Sequence, residues 1–144
     1  MNIFEAIRKD HDKQRELCKL VTSTSGDSKG RKEMWEKLKH ELQVHADAEE
    51  RTFYSPLIQN DMMQDHARHG IAEHHEMDEL IEKIDETDLD SPAWLVHAKQ
   101  LCEKVEHHLE DEEHTFFQLA GKVFTEEQKV SIGEEYLRVM KEKR

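Results

Sequence analysis

The chain has 144 residues, of which 35% are hydrophobic and 38% charged, and its formal net charge is −12. Such acidity provides no basic surface to displace counterions from nucleic acid or an anionic membrane, and no stretch approaches the ~20 apolar residues of a membrane span. The length suits one ordinary domain, so residues 1–144 are expected to form a single unit with a true core, placed in the cytoplasm because no apolar leader opens the chain.

From Ile3 to about Val21, the residues Phe4, Ile7, His11, Cys18 and Val21 recur at spacings that keep them on one side of a helix, with His11 in the middle of that side. Residues 23–28 are rich in turn formers, and Asp27 or Ser28 can cap the second helix. That helix is predicted to run to about Tyr54 and to stop near Pro56. Its seam of Trp35, Leu38, Leu42, His45, Glu49 and Thr52 advances by threes and fours, which puts His45 and Glu49 in core phase.

A third helix is predicted from about Met62 to Asp85, with Met63, Ala67, Gly70, His74, Met77, Ile81 and Ile84 in one seam; the phase selects His74 over His75. Ser91 followed by Pro92 is a helix start, a cap and then a residue with its φ already set. The fourth helix carries Trp94, Ala98, Leu101, Val105, His108, Glu112, Thr115 and Leu119, and is expected to end at Gly121. Thr125 to Gln128 fits a capping box and opens a short fifth helix expected to buttress the bundle. Four long helices joined by short loops specify an all-α, antiparallel up-down-up-down four-helix bundle with that short fifth helix appended.

One stretch occurs twice. His45-Ala-Asp-Ala-Glu49-Glu50-Arg-Thr52-Phe53-Tyr54 and His108-Leu-Glu-Asp-Glu112-Glu113-His-Thr115-Phe116-Phe117 share a His, a Glu four residues on, a second Glu, then Thr and two aromatics. Residues four apart on a helix lie one above the other, so each copy can aim an imidazole and a carboxylate at one point. If the seams face each other, the core receives His11, His45, Glu49, His74, His108 and Glu112. Burying such groups costs several kcal/mol per charge unless they are paired or bind metal.

Neutral imidazole suits borderline metals and carboxylate is a hard ligand able to bridge two ions, so the set favours two Fe ions, with manganese or zinc as lesser alternatives. Two octahedral ions offer about twelve positions; two bridging Glu, four His and a bridging oxo or hydroxo group fill all but about two, which stay open for water or a small ligand. A lone core His is more often hydrogen-bonded than ligating, and His40, His66, His69, His75, His97, His107 and His114 fall off the seams or lack a partner. Glu50 and Glu113 fall toward the flank, as supporting or solvated carboxylates. Cys18 and Cys102 have no CxxC spacing and read as reduced core residues.

With these residues in order, Asp10-His11, His45 with Glu49, Glu73-His74 followed by Met77 and Leu80, and His108 with Glu112, the chain resembles the hemerythrin-like, or HHE cation-binding, proteins over all but its last helix. The resemblance implies a non-haem di-iron centre in a four-helix bundle, associated with O2 binding, redox sensing, nitric-oxide or peroxide chemistry, or iron handling. Two departures stand out. Oxygen-carrying hemerythrins have a further His where this chain has Gly70, and an Asp five residues after the last helix's His, where this chain has Glu112 four after.

A missing imidazole implies a less ligand-rich iron, unless water, His69 or Glu73 fills in. The expected function is therefore a di-iron protein that binds or senses O2, NO or peroxide at an open iron position. Metal sequestration, a peroxidase- or catalase-like or NO-reducing enzyme using Tyr54, Glu50 or Glu113 for protons, and a metal-free structural bundle are the alternatives. A sensing role calls for a separate signalling partner; the oligomeric state stays open.

Overall fold

The computed structural model describes residues 1–144 as an all-helical chain without a strand. Helix α1 spans Ile3–Thr22 and opens on a capping box between Asn2 and Glu5. Helix α2 begins at Lys29 behind the Ser28 cap and continues as α-helix to Glu49. It then passes through a π-helical turn, Glu50–Tyr54, and ends with Ser55–Ile58. Helix α3 is Gln64–Asp85. Helix α4 starts at Pro92 behind Ser91, is α-helical to Asp111, makes a second π-helical turn at Glu112–Phe116, and finishes with Phe117–Val123. Helix α5, Glu126–Lys143, opens on the expected Thr125–Gln128 capping box.

Two expected helix ends lie elsewhere. Pro56 does not stop α2, because the π-turn before it already bonds Ser55 N–H to the Glu50 carbonyl five residues back. The widened turn relieves the clash that a proline ring makes with the carbonyl four residues earlier in a regular helix. Gly121 does not end α4, which runs to Val123 because Ala120 and Phe117 are buried on the same face.

The short loops make consecutive long helices antiparallel, and α1 packs on α2, α4 and α5 while α3 packs on α4. The core divides into two apolar clusters. One, at the α5 end, holds Ile3, Ile7, Phe53, Leu57, Ala67, Phe117 and Tyr136. The other holds Val21, Trp35, Leu38, Ile81, Trp94 and Leu101.

In each of the first four helices the candidate ligand lies between the residues that feed these two clusters, so a polar layer is sandwiched between apolar ones. The Trp end is closed by Arg31, whose guanidinium donates to the carbonyls of Thr24 and Leu89, both at 2.7 Å, and lies over the Trp94 ring. Helix α5 buttresses the opposite end through a close approach at Gly133, where a Cβ would sit 2.5 Å from the Met1 carbonyl. No helix is long and apolar enough to cross a membrane.

Candidate metal centre

The middle layer brings together all six side chains singled out from the repeat and the seams, each at most 5% exposed. Two groups form around shared carboxylates. His11, His45, Glu49 and Glu112 make one, and Glu49, His74 and His108 the other. Glu49 lies 3.4 Å from His45 Nε2 and 3.2 Å from His74 Nε2 through different oxygens. Glu112 lies 3.1 Å from His11 Nε2 and 3.6 Å from His108 Nε2, again through different oxygens. Both carboxylates therefore span the two groups, as bridging requires.

The outward nitrogen of every imidazole is held by another side chain. His11 Nδ1–H donates to Glu113 and His74 Nδ1–H to Glu50, each at 2.7 Å. His108 Nδ1–H donates to Glu73 at 2.8 Å. His45 Nδ1–H donates to the Tyr136 hydroxyl, which in turn donates to Asp10. Such bonds place the proton on Nδ1 and aim Nε2 inward. Glu50 and Glu113 thus act on the site from its flank, as their helical phase suggests. The roles of Asp10, Glu73 and Tyr136 escaped sequence reading. Asp10 and Glu73 each precede a seam histidine, and that shared position is the signal that could have found them.

The arrangement has an approximate twofold repeat that follows the duplicated stretch. Glu50 steadies His74 and Tyr54 stacks on it, with ring centroids 5.6 Å apart at 16°. Glu113 steadies His11 and Phe117 stacks on it, 6.1 Å apart at 11°. The residues before those two histidines cross over in the same sense. Glu73 reaches His108 directly, whereas Asp10, shorter by a methylene, reaches His45 through Tyr136.

The symmetry also fails at the stacked rings. Tyr54 has a hydroxyl where Phe117 has none, and it donates to Glu112 Oε2. A Cβ on Gly70 would come within 2.6 Å of that hydroxyl. So the space beside Gly70 is taken by a phenol from α2, not by His69, which is exposed, nor by Glu73, which is engaged with His108.

The electrostatics match a cation site. Burial lowers the His45 imidazole, but the neighbouring carboxylates of Glu49 and Asp10 outweigh it and hold the group at about 10. His74 is likewise lowered by burial, yet Glu49 and Glu50 hold it at about 9. Burial raises the Glu112 carboxyl and the Glu49 charge raises it further. Burial also raises Glu49, but the surrounding imidazoles, His45 foremost, bring it well below the usual range.

Positive charge is thus demanded between two carboxylates that repel each other. Yet His11 Nε2, His45 Nε2, His108 Nε2, both Glu49 oxygens and Glu112 Oε1 are buried without a hydrogen-bond partner. Buried polar atoms almost always find one. Imidazole nitrogens and carboxylate oxygens converging in this state are a donor set that fits metal ions. Binding would displace protons from the imidazoles.

The other seven histidines are exposed or half-buried at the surface. Cys18 and Cys102 are free thiols beside a groove of about 490 Å³ that lies two turns from His11.

Fold and site together define a helical bundle that carries a cluster of candidate metal ligands in its core, on facing helices. The Hemerythrin HHE cation binding domain family matches residues 2–120, and the chain belongs to that family. A relative from Nostoc sp., described as a DNA nickase, is 30% identical over 117 residues, 81% of this chain and 33% of that protein. The chain spans about a third of that curated relative's length. The crystal structure of a hemerythrin HHE cation binding domain-containing protein from Mycobacterium kansasii matches with a TM-score of 0.88 at 19% identity, over 99% of this chain and 87% of that one. At that identity the match describes the fold.

Proposed function

We propose that the chain holds two iron ions between Glu49 and Glu112 and binds or senses O2, NO or peroxide there. His11 and His45 would complete one ion's protein ligands, and His74 and His108 the other's. The observation that carries this reading is the set of buried, unpartnered nitrogens and oxygens facing one another across the bundle. When bound, iron supplies Lewis acidity and electrons to a small ligand.

The chain's own residues shape what can approach. Phe53, Phe116 and Phe117 close the α5 side with apolar rings, excluding bulk water. A cavity of about 20 Å³ beside Tyr54, Gly70, His108 and Glu112 leads outward past His69. Its size admits a water-sized molecule and supports a diatomic or peroxide ligand over a larger substrate. The Tyr54 hydroxyl, bonded to Glu112 at the inner end, holds a proton within reach of such a ligand. That favours peroxide or NO turnover as the second reading, because general acid catalysis needs a donor placed in this way.

The Nostoc relative's name does not transfer easily, since the charge of −12 disfavours DNA phosphates.

Iron content after anaerobic loading, followed by visible spectra under N2, O2 and NO, tests the proposal. About two Fe per chain and bands that respond to the gases are expected. A colourless, iron-free protein rejects it. Steady peroxide consumption that Tyr54→Phe abolishes, with iron content intact, selects the enzymatic reading.

A further inference from the structure

Outside the duplicated stretch the sequence holds two more His-x-x-x-Glu pairs, His75 with Glu79, both exposed, and His69 with Glu73, whose carboxylate is buried. On α3 the latter recreates at the surface the spacing of His45 with Glu49. His69 Nε2 lies 3.6 Å from Glu73 Oε1. Asp111 approaches from α4, and one potential ligand atom from each of the three lies within 4.8 Å of the others. His69 and Asp111 are exposed, whereas Glu73 is only 4% exposed and also accepts from His108 Nδ1 at 2.8 Å. A second observation gives the cluster its meaning. The same three residues line the narrow cavity that ends at Tyr54 and Glu112.

We propose that His69, Glu73 and Asp111 form a third divalent-cation site at the mouth of the cavity that leads to the buried centre. Two carboxylates and one imidazole make a mixed hard and borderline donor set, suited to Zn2+, Mn2+ or Fe2+. The outer side faces solvent, so an ion there keeps water ligands and exchanges readily. Lys104 Nζ stands 3.5 Å from Glu73 Oε2 and is also paired with Glu76. Its charge keeps the site weaker than a buried one, which suits a place of passage. Glu73 Oε1 then faces both stations, accepting from His108 Nδ1 on the inner side and lying 3.6 Å from His69 Nε2 on the outer. That passage, unlike the outer site itself, rests on reading the buried layer as a metal centre.

The test uses the full chain. Wild type, His69→Ala and Asp111→Asn are loaded with iron anaerobically, cleared of excess metal, and dialysed against Zn2+. Wild type is expected to hold one Zn2+ beyond the iron. Both variants should bind it at least about tenfold more weakly and fill with Fe2+ more slowly, while reaching the same final iron content and visible spectrum. Both substitutions are at exposed side chains, so unchanged melting will show that the fold is intact. Equal Zn2+ binding in wild type and variants, or no Zn2+ beyond the iron in wild type, overturns the outer site; equal filling rates overturn the passage. Zn2+ binding that His69→Ala removes from a protein whose centre takes no iron would support the outer site and reject the buried pair.

Discussion

A histidine in this bundle becomes a candidate ligand only when something else takes its outer nitrogen. Glu113 does this for His11, and Arg15 fixes Glu113 in turn, at 2.9 Å. Removing that charge while keeping the shape, with Glu113→Gln, is expected to weaken metal binding about 10–100-fold. A chelator competition will measure it, and unchanged affinity would mean that Glu113 only pairs with Arg15. Gly70 and Tyr54 form a second residue-level unit, since any side chain at position 70 meets the phenol ring. Gly70→Ala should destabilise the fold by about 1–3 kcal/mol through overpacking. The same change made in a Tyr54→Ala background should cost far less, because the clash is gone. Equal costs in denaturant titrations of both backgrounds would show that the two sites are independent.

At the scale of the helix, the ligand pairs sit just before a change of winding. Both α2 and α4 leave α-helical geometry within a residue of the paired carboxylates Glu49 and Glu112, at Glu50 and at Glu112. A π-turn inserts one residue's worth of rotation, about 100°. The insertion in α2 lets Glu49 and Tyr54 both face inward, although an unbroken helix would separate them by well over a quarter turn. Deleting the exposed Arg51 should restore regular winding and, by leaving four residues from Glu49 to Tyr54 instead of five, keep Tyr54 facing Glu112 with helical content nearly unchanged. Circular dichroism checks the second point and tyrosine fluorescence the first; a Tyr54 moved into a water-exposed environment would contradict it. The duplicated His-x-x-x-Glu stretch is plain in the sequence, but nothing in its spacing announces the π-turns. They depend on Phe53 and Phe116 being drawn into the α5-side cluster.

Over the whole molecule, the polar layer costs stability that the two apolar clusters around it must offset. The six candidate ligands, with Asp10 and Glu73 beside them, are buried between the two clusters, and several of their polar atoms have no partner. Metal binding should therefore stabilise the folded state, by about 4 kcal/mol at a free metal concentration a thousand times the dissociation constant. For a chain of this size that is a rise in melting temperature on the order of 10 °C. Calorimetry of loaded and chelated protein measures it. A melting temperature that ignores metal would leave the metal-free structural bundle as the surviving interpretation.

The bundle and its inward groups were legible early because both follow from periodicity. Threes and fours put His11, His45, His74 and His108 on the faces that also carry Trp35, Ile81 and Leu101, and a face that must be buried carries its polar members with it. Local chemistry announced the caps at Ser91 and Thr125 in the same way, and narrowed that of α2 to Asp27 or Ser28, of which the fold uses Ser28. What encloses those groups came from contacts between residues far apart in the chain. Tyr136 meets His45 and Asp10 across α5, Glu73 crosses to His108, and Tyr54 enters the space that Gly70 leaves. No spacing rule encodes such meetings, because they depend on how four helices rotate and slide until their apolar clusters close.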